Sequence, residues 1–297
     1  MPTKTLLVLA GPTGVGKTAL SIQIAKHFST EIISCDSRQI FREMRVGTAV
    51  PPEEILTQVP HHFIHSHSIF EKYNASKFEA EILDLLPQLF EIHDIVVMTG
   101  GSMLYIDAVC KGIDDLPDID PELRQNLKER MKKEGIASLR NELKLVDSDY
   151  YHEADLQNPV RIIHALEIFY TTGKSFSSQR TKTQKQRDFR IVKVCLNRER
   201  SELYGRINQR VDEMMHLGLE QEARRLYPHR HLNTLNTVGY REMFDYFDGG
   251  CTLEEAVEKI KANTRKYARK QLTWFRKDPE IQWFHPDQYQ EMLNALK

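Results

Sequence analysis

Apolar runs alternate with stretches of helical periodicity through the first hundred residues. Thr5 to Ala10 (T-L-L-V-L-A) is almost continuously apolar, the texture of a strand covered on both faces. Ala19 to Ala25 reads as part of a helix running to about Phe28, and Glu31 to Ser34 as a second short buried strand ending at Cys35-Asp36-Ser37. A helix is expected from Ala75 to Glu91, with Ser76 near its start, and a third strand from Asp94 to Met98, stopped by Thr99-Gly100-Gly101. Strands alternating with helices predict an α/β core, a mostly parallel sheet flanked by helices. In such sheets ligands gather beyond the carboxyl ends of the strands. Gly11 to Thr18, Asp36 and Gly100-Gly101-Ser102 all fall at such ends, so three loops distant in sequence are expected to face one cleft.

The texture changes after Gly112. Asp114 to Pro121 is acidic and proline-containing and reads as a linker; helical patterns follow at Pro121 to Glu134, Ile136 to Leu145 and Asn158 to Thr172. The last is well punctuated, with Asn158 as N-cap, Pro159 at the first helical position and Gly173 past the end. Phe189 to Leu196 alternates as a strand does and is expected to rejoin the sheet. The expectation is a core in two pieces, residues 1–115 and 188–297, interrupted by an all-helical insertion domain over residues 116–187. Further helices are expected near Glu199 to Leu217, at Leu219 to Leu226, and from Thr252, where Thr252-Leu253-Glu254-Glu255 spells a capping box. On that last helix Ala256, Ile260, Tyr267, Gln271 and Trp274 recur at helical spacing, and Trp274 and Phe275 read as core rather than as base-stacking platforms.

Chemistry enters at Gly11-Pro12-Thr13-Gly14-Val15-Gly16-Lys17-Thr18. This fits G-x-x-x-x-G-K-[ST] between an apolar strand and a helix, the setting a phosphate-cradling P-loop requires. Its glycines let successive N–H groups and the helix N-terminus converge on one anion; Lys17 adds a point charge, and the Thr18 hydroxyl is placed to ligate Mg²⁺. The base-reading signature N-K-x-D is absent, which disfavours a GTPase switch. Asp36 could ligate Mg²⁺, accept a proton or simply cap the turn that begins at Ser37. Gly100-Gly101-Ser102, before Met103-Leu104-Tyr105, is either a second anion-friendly helix start or an ordinary strand-to-helix turn. Two other clusters read as decoys. Asp114-Asp115-Leu116-Pro117-Asp118 spells a D-D-x-x-D metal motif, but Pro117 prevents the shared helix face it needs. His61, His62, His65 and His67 have no Cys or acid at ligand spacing and read as a satisfied loop.

Bulk properties narrow the class. The 297 residues, 40% hydrophobic and 28% charged, have the balance of a soluble globular protein, without the run of about 20 apolar residues that a membrane span needs. The N-terminus shows no basic-then-apolar leader, and Cys35, Cys110, Cys195 and Cys251 are scattered, which together point to a cytoplasmic protein. The net charge of −1 hides an asymmetry: Lys259 to Lys277 carries eight basic residues and no acidic one. Either a polyanion meets that end, or the helix merely shows a solvated face.

Several segments together resemble the tRNA dimethylallyltransferase family, the isopentenyl-tRNA transferases, bacterial type. They are G-P-T-G-V-G-K-T, I-I-S-C-D-S-R-Q-I-F-R-E-M-R-V-G-T-A, P-H-H-F-I, T-G-G-S-M-L-Y, D-P-E-L-R, N-P-V-R-I-I-H-A-L-E-I, Y-G-R-I-N-Q-R-V-D, T-V-G-Y-R-E and R-K-Q-L-T-W-F-R-K, in family order from Leu6 to about Phe284. The resemblance implies transfer of a dimethylallyl group from its diphosphate to N6 of the adenosine just 3′ of the tRNA anticodon, with Mg²⁺ as cofactor. It implies that Gly11 to Thr18 hold the diphosphate, with Lys17, Thr18 and Arg210 stabilising it, and that Asp36 takes the N6 proton. It implies tRNA contacts from Asp36, Ser37, Arg38, Gln39, Ser102, Arg124, Arg161, His164, Thr237, Val238, Gly239, Tyr240 and Arg241. Ser102 stands where the family usually has Thr, and His164 where Arg is common. A monomer is expected. A P-loop small-molecule kinase and a non-catalytic RNA-binding P-loop protein are the rivals; the basic C-terminal helix argues against the first and Asp36 against the second.

Overall fold

A computed structural model describes residues 4–114, 116–117, 119–180 and 184–295. The chain divides into two compact units, residues 4–111 with 186–295, and residues 112–185. The first unit opens with β1 (Thr5–Ala10), α1 (Lys17–His27), β2 (Ile32–Cys35), α2 (Glu53–Leu56), β3 (His61–His62), α3 (Ala75–Ile92), β4 (Ile95–Gly100) and α4 (Met103–Lys111). The second unit holds α5 (Pro121–Glu134), α6 (Ile136–Val146), α7 (Ser148–Glu153), α8 (Pro159–Thr172) and α9 (Phe176–Gln179). The first unit then resumes with β5 (Arg190–Leu196), α10 (Arg200–His216), α11 (Leu219–Leu226), α12 (Tyr240–Phe247), α13 (Leu253–Phe275), β6 (Gln282–Phe284) and α14 (Tyr289–Ala295).

The strands form one parallel sheet in the order β3-β2-β4-β1-β5-β6. β1 lies inside it, between β4 and β5, and Leu6 to Ala10 are all buried, which is why its sequence is continuously apolar. β4 runs to Gly100 instead of stopping at Met98. Thr99 and Gly100 pair with Leu9 and Ala10 on one side and with Ser34 and Cys35 on the other, and pairing on both sides overrides the turn character of Gly. Because every strand points the same way, the loops after β1, β2 and β4 leave one edge of the sheet together. β5 takes its place beside β1 with Thr5 opposite Arg190.

Helix ends follow local chemistry. The Asn74 side chain, not Ser76, caps α3 by accepting from the Lys77 N–H at 2.8 Å. α13 has its capping box: the Thr252 hydroxyl accepts from the Glu255 N–H, and the Thr252 N–H donates to the Glu255 carboxylate. Its buried stripe is Ala256, Ile260, Ala268, Gln271 and Phe275. The expected phase was therefore one residue early at the end. Phe275 is core, but Trp274 is exposed and its indole N–H donates to Asp107 at 2.7 Å. The basic run on this helix is also partly neutralised, with Lys259 paired to Asp245 and Lys261 to Asp212 and Glu258.

In the second unit, Leu127, Leu139, Leu143, Ile162 and Leu166 form the core. α8 begins at an Asn158 side chain accepting from the Val160 N–H, with Pro159 inside the first turn and Gly173 closing the end. The buried Glu167 takes a bidentate pair from Arg124 at 2.6 and 2.8 Å, and His164 Nδ1 lies 3.6 Å from the same carboxylate. Asp115 and Asp118 of the D-D-x-x-D stretch lie outside the described residues.

Candidate active site

The P-loop leaves β1 and enters α1 through Gly16, whose φ of 112° lies in the left-handed region open to glycine. The loop is held from behind through its carbonyl oxygens. Lys17 Nζ donates to those of Gly11 and Pro12, both at 2.8 Å; Arg206 Nε donates to Gly14 and Arg198 Nε to Val15, each at 2.8 Å. The Thr13 N–H donates to the buried Gln271 side chain, whose Nε2 in turn donates to the Gly101 carbonyl at 2.8 Å. No acceptor among the described residues takes the N–H groups of Gly14, Gly16, Lys17 or Thr18. Four amides at a helix start, with the loop carbonyls of Gly11, Pro12, Gly14 and Val15 tied away, form an anion nest.

A cavity of about 400 Å³ opens in front of this nest. Thr13, Gly14, Gly16, Lys17, Thr18, Asp36, Ser37, Arg38, Gln39, Ser102, Arg210, Thr237, Val238 and Gly239 all line it. Gly11, Pro12 and Val15 stand behind it: they are buried, and Val15 belongs to the apolar core. Tyr240 must be reassigned. Its side chain is 0% exposed and donates to Glu222, so it cannot touch a ligand in the cavity. Arg241 does not line the cavity either and lies 3.6 Å from Glu242. Arg124, Arg161 and His164 belong to the second unit.

Asp36 sits just beyond β2. Its Oδ1 accepts from the N–H groups of Arg38 at 2.9 Å and Gln39 at 3.3 Å, so one oxygen caps the turn while the side chain lines the cavity. The capping and chemical readings are thus compatible. Ser102 steadies the same turn: its hydroxyl accepts from the Ser37 N–H at 2.8 Å and donates to the Ser37 hydroxyl at 3.1 Å. Gln39 Nε2 donates to the carbonyls of Thr48 and Ala49 at 3.0 and 3.2 Å.

The field in the cavity is positive. Burial, followed by the nearby Arg210, pushes the Lys17 ammonium down to about 8, while Asp36 pulls it the other way. Burial and Arg206 likewise lower Arg210, and burial lowers Arg38. Buried cations that weaken one another's charge are stabilised when an anion arrives.

The histidine-rich segment does not join this site as a group. His61 Nδ1 bonds the Val59 carbonyl, His62 Nε2 bonds Glu31 at 2.6 Å, and His67 Nδ1 bonds the Ser66 hydroxyl. His61 itself lines the cavity. Among the described residues no three metal-ligating side chains gather, and no helix is long and apolar enough to cross a membrane. Sequence reasoning missed Arg198, Arg206, Gln271 and Glu222. A signal existed for two of them: Gln271 and Glu222 are polar residues in the apolar phase of their helices, beside Ala268 and Phe275, and beside Leu219, Ala223 and Leu226.

A parallel sheet whose first loop is an anion nest, with a carboxylate at the next strand end facing the same cavity, defines the P-loop class of α/β phosphate-binding proteins. The family model described as IPP transferase matches residues 39–278, and the chain belongs to that family. The tRNA dimethylallyltransferase 1 of Phocaeicola vulgatus is 56% identical over 98% of this chain and 97% of its own length. That of Bacteroides fragilis is 54% identical over 100% and 99%. Among solved structures, the tRNA isopentenylpyrophosphate transferase of Bacillus halodurans is 34% identical with a TM-score of 0.71, covering 99% of this chain and 95% of that one. A eukaryotic dimethylallyltransferase solved acting on tRNA is 27% identical with a TM-score of 0.75, covering 92% of this chain and 70% of that one.

Proposed function

We propose that this protein transfers the dimethylallyl group of dimethylallyl diphosphate to N6 of the adenosine 3′-adjacent to the anticodon (position 37) of tRNA. The observation that carries this reading is that Asp36 and the P-loop nest line one cavity. The N6 lone pair attacks the allylic carbon, the C–O bond breaks, and the diphosphate leaves with the bonding electrons. The nest amides, Lys17 and Arg210 stabilise the charge that grows on it. Asp36 accepts the N6 proton as the C–N bond forms, a task an amine with a delocalised lone pair requires.

Mg²⁺ prefers hard oxygen donors and commonly bridges substrate phosphates while keeping waters. Thr18 and Asp36 line the cavity with oxygen donors of that kind, so the residues fit the ion, and Thr18 would hold it. When bound, it would withdraw charge from the leaving diphosphate. Arg38, Gln39, Ser37, Ser102, Thr237, Val238 and Gly239 line the cavity the adenine would enter, and flipping a base from an anticodon loop costs only a few kcal/mol. Arg241, and in the second unit Arg161, His164 and the half-exposed Arg124, are the candidates for contacts along the tRNA backbone. The protein works in the cytoplasm as a monomer. The test is incubation with total tRNA and dimethylallyl diphosphate, followed by nucleoside mass analysis. A prenylated adenosine is expected; ATP consumption with unmodified tRNA would replace this reading with a kinase.

A further inference from the structure

Glu222, on α11, is buried yet accepts four hydrogen bonds from outside its own helix. Its Oε2 takes the backbone N–H groups of Arg45 at 3.0 Å and Val46 at 2.9 Å; Oε1 takes the Gly47 N–H at 2.8 Å and the Tyr240 hydroxyl at 2.7 Å. Three successive amides thus converge on one carboxylate, a nest the chain fills with its own anion. Tyr240 directly follows Thr237-Val238-Gly239 and packs against Gly47 so closely that a Cβ there would lie 2.5 Å from its ring. A Cβ on Gly239 would lie 3.8 Å from the Gly47 carbonyl oxygen. Two loops that line the cavity therefore meet at one pin, Gly47-Thr48-Ala49 and Thr237-Val238-Gly239. Gln39 grips the first loop through the Thr48 and Ala49 carbonyls, and its own N–H donates to Asp36. The ties that hold the P-loop, from Arg198, Arg206 and Gln271, share no residue with this set.

We propose that Glu222, pinned to Tyr240, is a positioning residue that fixes the cavity wall receiving the adenine-bearing RNA loop, without itself touching substrate. The inference rests on the tRNA-modifying reading given above. A carboxylate is required at this position. Both its oxygens are acceptors, whereas a glutamine in either orientation turns an NH₂ group onto amide donors. Burial, then Glu222, holds the Tyr240 hydroxyl well above its ordinary range, so it remains a donor.

The test uses Glu222→Gln and, with the ring and its packing retained, Tyr240→Phe. Both are compared with wild type by amide hydrogen exchange, by KM and kcat for tRNA, and by titration with dimethylallyl diphosphate. In Glu222→Gln, exchange at residues 45–47 and 237–239 should accelerate by roughly tenfold or more while P-loop amides stay unchanged. KM for tRNA should rise roughly tenfold, with kcat and diphosphate affinity within about twofold. Tyr240→Phe should move the same quantities in the same direction by less. Unchanged exchange in both variants overturns the pin. Faster exchange with unchanged KM, or an equal loss of tRNA and diphosphate binding, overturns its role in placing RNA. A wild type that forms no prenylated adenosine defeats the functional reading instead, and the exchange measurement still decides the pin.

Discussion

The P-loop contrasts with the Arg45–Gly47 turn, which reaches the same cavity through Gly47. In the P-loop, cations take the carbonyl oxygens: Lys17 those of Gly11 and Pro12, Arg206 that of Gly14, Arg198 that of Val15. The amides of Gly14, Gly16, Lys17 and Thr18 are left for a ligand. In the Arg45–Gly47 turn a carboxylate consumes the amides, and the Thr48 and Ala49 carbonyls just after them go to Gln39. Both turns offer several amides to an anion, and one has been filled from inside. The lesson is that where an anion lands depends on which N–H groups the fold leaves unspent, more than on where cations are dense. Arg45 is an exposed cation beside a nest that Glu222 has already closed.

Among these groups Asp36 should matter most to turnover. Asp36→Asn keeps an oxygen to cap Arg38 and Gln39 but has no basic site, so single-turnover transfer should fall roughly 10³-fold with diphosphate affinity nearly unchanged. Normal turnover in that variant would remove Asp36 from the chemistry. Lys17→Ala comes next: loss of a charged donor should weaken prenyl diphosphate binding by roughly 10- to 100-fold in titration calorimetry. A smaller effect is expected from pH. Lys17 in the free protein loses its proton near pH 8, and only its charged form favours the diphosphate. Affinity should therefore be full well below pH 8 and decline as the pH rises through 8, by at most about tenfold per pH unit. Since Asp36 holds that pKa up, the decline should begin at lower pH in Asp36→Asn. The smallest effect belongs to Ser102. Ser102→Ala leaves the Ser37 N–H without its acceptor and should cost a few-fold to tenfold in KM for tRNA, and Ser102→Thr should restore it.

Much of the first turn of this site was legible because its signals are local. An almost wholly apolar strand, a glycine-spaced loop and a helix follow one another within Thr5 to His27, and each reads independently of the rest of the chain. Asp36 was legible only as a choice between cap and base, and one of its oxygens does cap. What stayed hidden depends on long-range contact. β3 has two residues and β6 has three, too few for a period to register. Glu222 sits among charged neighbours in L-E-Q-E-A-R-R-L, and its burial shows only when Leu219, Ala223 and Leu226 set the helix phase. Tyr240 reads as a ligand contact from its motif, but its hydroxyl and ring are spent on Glu222 and Gly47. Trp274 reads as core from spacing, yet the stripe that packs is set by Ala268 and Phe275 one position on.

The most direct measurement is a crystal structure with a non-transferable dimethylallyl thiodiphosphate bound. The diphosphate should lie within hydrogen-bond distance of the Gly14, Gly16, Lys17 and Thr18 amides, with the allylic carbon on the side of the cavity where Asp36 stands. A diphosphate seated away from those amides, or an allylic carbon turned out of reach of Asp36, would contradict the account.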